Sequence, residues 1–319
     1  VASTDSTHFE AFKQPQLLIK QSFAVEPGRF RAALVHSSDR EWGTICKKTY
    51  LSVHDRSPNA SNIRAACLAY NSCLATYYLM LTSSRIGHYI TETLTDELLQ
   101  VPLPPPGDYD IASVETFDDI DRLTRDLYHL SESEWALVED LLALSLPAIL
   151  RRSEGPGEAQ TERVSKELVG ESEPEVYASV FARVLKTTFG KDKAVCSTVF
   201  REPEGEYLPV RLVAIHLDWP GRKALEVEPM DKNYLFAKLR QLYQDVLSPK
   251  SRALSGEGLG FQRVAFLFHS HVVGRRRIPS LYIIKPDQRR YWTRSLAMRD
   301  ADHLAGAILR AVGHWGSKA

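Results

Sequence analysis

Between Arg275 and Arg299 the chain concentrates positive charge. Arg275, Arg276 and Arg277 stand together, and Lys285, Arg289, Arg290, Arg294 and Arg299 follow, with Tyr291 and Trp292 among them and Asp287 the only acid. Guanidinium groups grip phosphate oxygens through paired N–H donors, and aromatic rings set between them can stack on bases. This points to nucleic acid, with Arg275, Arg276, Arg277, Lys285, Arg289, Arg290, Trp292 and Arg294 as contacts. The competing reading has Tyr291 and Trp292 in a core while the arginines pair with Asp300 and Asp302.

A second set of bases lies near the start of the chain: Lys13, Lys20, Arg29, Arg31, Lys47 and Lys48, on strand-like segments and their turns. In a DNA reader they would touch phosphates and base edges; otherwise they are solvated lysines and arginines that keep strand edges from pairing. Over the whole chain forty basic side chains meet forty acidic ones, so bulk electrostatics gives no pull toward a polyanion. Any nucleic-acid contact must come from local patches.

Other chemistry is weakly signalled. Glu202, Glu204, Glu206 and Asp218 sit near strand-like runs and would be the acids of a metal-dependent nuclease, which needs carboxylates gathered around a divalent ion. Glu226, Glu228, Asp231 and Lys232 read as exposed turns. His269 and His271 are spaced as a pair but lack a third zinc ligand. Residues 256–260 (GEGLG) lack the flanking strand and helix of a cofactor turn, and no Ser-His-Asp or Cys-His motif is marked. Neither a metal nor a cofactor is expected on this chain.

The elements that must position these residues form an α+β pattern in two domains. Short alternating runs at 16–23, 30–36 and 43–53 predict an N-terminal mixed sheet, and they feed a long apolar helix that starts at Ser61 or Asn62. Ile63, Ala66, Ala69, Tyr70, Cys73, Leu74, Tyr77 and Leu81 recur there at spacings of three and four, and the pattern ends at Thr82-Ser83-Ser84. A helical pair follows over 118–150, its second member opened by a Ser131/Glu134 capping box. Residues 151–174, rich in Gly, Glu, Ser and Pro, predict a linker between a domain at 1–150 and an α+β domain at 175–319 that carries the basic segment. In the second domain, helices are expected at 176–189 and 233–247, and strands at 195–200, 210–216, 264–268 and 281–284.

Four cysteines, Cys46, Cys67, Cys73 and Cys196, lack paired spacing and are expected to be buried and reduced, which suggests the cytoplasm. No apolar run approaches the length of a membrane span.

The order of features over 8–150 resembles the TaqI-like specificity region of adenine-specific DNA methyltransferases and fused restriction-modification enzymes. The resemblance rests on residues 12–20 (FKQPQLLIK) and 29–33 (RFRAA), on Asn71-Ser72, Tyr77-Tyr78 and Thr82-Ser83-Ser84, and on Thr95-Asp96-Glu97-Leu98 running into Val101-Pro102-Leu103-Pro104. Residues 127–134 (LYHLSESE) are similar to a turn that follows that region, and 284–302 look like a tail of defence-associated methyltransferase polypeptides. The resemblance implies recognition of double-stranded DNA on behalf of a methyltransferase catalytic domain. That domain's Asn/Asp-Pro-Pro-Tyr/Phe loop and its glycine-rich turn for S-adenosylmethionine are absent from this sequence, so both the cofactor and the methyl transfer would belong to a partner or a separate domain. A nuclease lobe and a protein-docking adaptor remain as alternatives.

Overall fold

The computed structural model describes residues 10, 12–22, 28–37, 39, 41–56, 60–86, 92–107, 109–111, 114–153, 173–189, 194–205, 207–247, 265–273 and 275–316. The chain forms two compact units, Val1–Gln160 and Thr161–Ala319, and both combine a sheet with helices, the expected α+β class.

In the first unit β1 (Gln16–Lys20) lies between β2 (Ala32–Val35) and β3 (Tyr50–His54). Both pairings are antiparallel, so the sheet is not mixed as expected: β2 and β3 each run against the central strand, on its two sides. The register sets Leu17 beside Leu34 and Val53, and Ile19 beside Ala32 and Leu51. One face is therefore apolar, and helix α1 (Ser61–Asn71) covers it with Ile63, Ala66, Cys67 and Tyr70. The cap of α1 comes from Asp55, whose Oδ2 accepts the N–H groups of Asn62 and Ile63, and not from Ser61 or Asn62 themselves.

The long apolar helix is two helices, α1 and α2 (Cys73–Thr82), broken at Ser72. Ser72 is extended, with φ −80° and ψ 156°; its hydroxyl accepts Ala75 N–H at the start of α2 and donates to Ala69 O at the end of α1. Asn71 turns away to complete the edge of β2, its side chain accepting Ala32 N–H at 3.1 Å and donating to Ala32 O at 2.8 Å. The hydrophobic period runs through the break, so periodicity alone cannot register it; the two side chains that offer the backbone other partners make it.

Beyond α2, helix α3 (Thr95–Leu99) is tied back by Glu97, which accepts from Ser83, Ser84 and Leu94. Burial opposes ionisation there, but these hydrogen bonds hold its carboxyl down at about 2. The expected helical pair is α4 (Phe117–Leu127) and α5 (Glu132–Ser153), with the Ser131/Glu134 capping box in place.

The second unit runs α6 (Glu173–Phe189), β4 (Cys196–Arg201), β5 (Val210–His216), β6 (Leu225–Pro229), α7 (Lys232–Leu247), β7 (Ala265–Val273), β8 (Arg276–Pro286), a 3-10 turn (Arg289–Tyr291) and α8 (Arg294–Gly316). Its sheet has the order β6-β4-β5-β8-β7, antiparallel except for the parallel β4–β6 pair. Phe200, Leu212 and Tyr282 pack on one face with Met230 and with Leu235 of α7. By alternation Val199, Val213 and Ile283 point the other way, where α6 lies on β4 and β5 and packs against α8.

Four strand expectations change. β3 occupies only 50–54, and 43–49 are irregular; β7 and β8 are longer than expected; and β6 replaces the exposed turns expected at 226–228. Glu226 and Glu228 alternate with apolar residues on this edge strand, and both bind Arg222. The expected linker core at 154–172 lies outside the described residues. Among the described residues, no helix is long and apolar enough to cross a membrane. The four cysteines are unpaired, and Cys67, Cys73 and Cys196 are buried while Cys46 is not.

Candidate nucleic-acid interface

The basic triplet sits where one hairpin outruns the sheet. Pairing of β8 with β5 begins at Ser280 opposite His216, but β8 itself begins at Arg276, so 276–279 pair only with 270–273 of β7. Leu217 N–H donates to Pro279 O at 3.0 Å and marks the end of the β5 side. At this overhang opens a cleft of about 620 Å³ lined by Arg276, Arg277, Ile278 and Pro279 of the hairpin, Leu217 and Asp218 beyond β5, Phe189 at the end of α6 and Ile308 of α8. A cleft of this size suits a small organic ligand or one nucleotide.

Arg275, Arg276 and Arg277 are exposed, and among the described residues none of them enters an ion pair. Their two neighbours along β8 alternate in direction, so Arg276 and Arg277 reach the cleft from opposite faces of the strand. The cleft thus sets two guanidinium side chains beside apolar walls.

The rest of the predicted basic segment divides. Lys285 is 2% exposed and donates to Asp300 Oδ2 at 2.6 Å and to Tyr291 O at 3.0 Å, while its ammonium lies 4.1 Å from the centre of the Tyr177 ring. Trp292, also 2% exposed, donates its indole N–H to Pro286 O and meets Tyr177 edge-on. Neither is a DNA contact: position 285 falls on the face of β8 that meets Tyr177 of α6 and Asp300 of α8, and Trp292 packs beside it. Burial pushes the Lys285 ammonium below its ordinary value against the pull of Asp300. Arg289 pairs with Glu173 at 3.2 Å, and Arg290 lies over Tyr291 on the surface. Arg294 is half-buried at the start of α8.

In the first unit Arg29 is structural. Its guanidinium makes two parallel bonds to Asp121, Nη1 to Oδ1 at 2.7 Å and Nη2 to Oδ2 at 2.6 Å, and Asp121 Oδ1 also accepts Cys73 N–H at 2.9 Å. Arg29 was expected on DNA; instead it locks the β1–β2 connection to α2 and α4. Lys13 approaches Glu41 at 3.8 Å and lies over Trp42; Lys20 is half-buried at the end of β1, and Arg31, Lys47 and Lys48 are exposed.

The nuclease carboxylates do not converge. The β4–β5 register puts Glu202 beside Val210 at one end of the sheet, bonded to Arg211, whereas Asp218 lies past His216 at the other end, about 25 Å along the strand. Glu204 is exposed, and Glu206 lies outside the described residues, as does the 256–260 loop.

The histidines lie in a polar layer in which His216 is buried and His269 and His271 are half-buried. His216 Nδ1 lies 2.7 Å from Ser280 Oγ and its Nε2 lies 3.1 Å from Thr198 Oγ1, while His271 Nε2 lies 2.7 Å from the Tyr282 hydroxyl. His269 and His271 meet edge-on at 5.0 Å between ring centres. Among the described residues no three His, Cys, Asp or Glu side chains are grouped to hold a metal ion.

The cleft walls from Phe189, Leu217 and Ile308 had no sequence signal, because three distant segments supply them. No family model, curated protein or solved structure matches this chain.

Proposed function

We propose that this chain is the DNA-recognition part, or subunit, of an adenine-specific DNA methyltransferase in a restriction-modification or phage-defence system. It works in the cytoplasm, binds duplex DNA, and positions it for a catalytic domain carried elsewhere, which brings the S-adenosylmethionine. The observation that carries this reading is the exposed Arg275-Arg276-Arg277 triplet, of which Arg276 and Arg277 line the cleft. Among the described residues none of the three enters an ion pair, which leaves them available to phosphate oxygens. The order of features over 8–150 adds the family expectation. Lys13, Lys20, Lys47 and Lys48 would supply weaker contacts from the first unit.

Binding of the purified chain to a short duplex, followed by fluorescence anisotropy across a salt series, tests the proposal. Association at low salt that weakens steeply as salt rises supports it. No association at any salt removes it.

One observation favours the adaptor reading. The outer strand β7 carries no charged residue and leaves Phe266, Phe268 and Val272 exposed, as a strand edge that receives another protein would. A stable complex with a methyltransferase subunit, without salt-sensitive DNA binding, decides for the adaptor.

A further inference from the structure

The two edges of the sheet in the second unit are built differently. Among the described residues β6 and β7 are its outer strands. β6 is five residues long, carries Glu226 and Glu228 and ends in Pro229, features that keep a further strand from adding. β7 runs for nine residues (AFLFHSHVV) with no proline, lysine, arginine or carboxylate. Its side chains are open as well. On the face of the sheet that α6 covers, Leu281 and Ile283 of β8 are 0% exposed, whereas their register partners on β7, Phe268 and Phe266, are 44% and 36% exposed. Val272, on the same side of β7, is 70% exposed. Burial thus stops one strand short of the edge, where alternate residues turn their N–H and C=O groups outward.

We infer that β7 pairs antiparallel with β7 of a second copy of this chain, about a twofold axis at His269, so that one sheet runs through the axis. A twofold axis normal to the sheet keeps each face on its own side, and this register uses all nine residues of the strand. It sets Phe266 opposite Val272 of the second copy and Phe268 opposite Ser270, with the two Phe268 rings as diagonal neighbours. Aromatic and β-branched side chains facing each other in this way stabilise a strand pair. Charge admits the pairing and fixes its direction. The Arg275-Arg276-Arg277 triplet follows one end of β7 only. Antiparallel strands send the two triplets to opposite ends, about 27 Å apart along the strands and about three Debye lengths at physiological salt. Parallel strands would set them side by side. Nine residues a side fall short of the roughly 20–30 of a standard interface, so the dimer is a weak, reversible one in the micromolar range. It needs no DNA, and the inference stands apart from the DNA-recognition reading; the adaptor reading would give the same edge to a different protein.

Sedimentation velocity of the full chain without DNA, from sub-micromolar to hundred-micromolar concentration, tests the inference. The expected result is a shift from the 36.0 kDa of one chain toward twice that mass. Val272→Lys changes an exposed side chain, so the fold is kept, and it should weaken self-association about tenfold or more by placing two lysines on the joint. Two cysteine variants read the register. His269→Cys sets a thiol at the axis opposite its own mate, whereas Val272→Cys sets a more exposed thiol about 20 Å from its mate. On mild oxidation with diamide, and relative to the parent chain, the first should give a disulfide-linked dimer and the second should not. A chain that stays monomeric throughout overturns the inference and leaves the DNA-recognition reading as it was. A dimer unaffected by Val272→Lys, or one linked through position 272 and not 269, overturns the β7 pairing. A monomer that takes up a methyltransferase subunit on β7 gives the edge to that partner and overturns the inference as well.

Discussion

Lys285 Nζ lies 2.6 Å from Asp300 Oδ2, and the same carboxylate oxygen accepts the Tyr177 hydroxyl at 2.9 Å. One partly buried carboxylate thus joins β8, α8 and α6, and the lysine that the sequence offered as a DNA contact serves as its counter-charge. Desolvation makes such a pair of little net value against an apolar replacement, but removing one partner strands the other.

Lys285→Ala should therefore destabilise the second unit by about 3–5 kcal/mol, read from urea melts of the full chain. The double variant Lys285→Met with Asp300→Leu should recover much of that loss. A single variant as stable as the parent would contradict the role assigned to this pair.

Asp121 serves the first unit similarly, through Arg29 and Cys73 N–H. Asp121→Ala leaves a partly buried guanidinium and an amide unpaired, and should cost about 3 kcal/mol in stability. Below its melting range the variant should bind DNA as the parent does. A changed salt dependence of binding would return Arg29 to the DNA surface.

The histidine layer sets an acid limit. Burial, with the charges of Arg222 and then His271 and Lys238 against the partial help of Glu226, lowers His216 to about 3. Burial, with the charges of Lys238, His269 and Arg222, lowers His271 to about 4. Both are bases held neutral in the fold, so below about pH 6.5 the unfolded chain binds more protons than the folded one. Their contribution is fully present above that pH and is lost as pH falls toward 4 and 3, at up to about 1.4 kcal/mol per pH unit for each imidazole. His216→Gln should flatten the fall in melting temperature between pH 6.5 and 4, even if it lowers stability at pH 8. An unchanged slope would show that His216 is not buried as described.

The sequence was most legible where a local rule acts alone. The Ser131/Glu134 box caps α5, and the apolar period over 61–82 gives helical residues on both sides of Ser72. It failed where a side chain serves a distant segment. Asn71 and Ser72 interrupt the helix because the edge of β2 and the start of α2 need their polar groups, a demand visible only once the strands are placed. Lys285 and Trp292 looked like part of a charged run because nothing local says that helices cover both faces of β8. Arg276 and Arg277, past the reach of β5, fall at the cleft only through strand register.

The most direct test of the account is the salt dependence of duplex binding for the parent chain and for Arg275→Ala/Arg276→Ala/Arg277→Ala. If the triplet holds phosphates, the variant should bind more weakly at low salt, and the slope of log affinity against log salt should be shallower by about 2–3, close to 0.9 for each lost contact. Parallel slopes with equal affinity would contradict the account and take the triplet off the DNA.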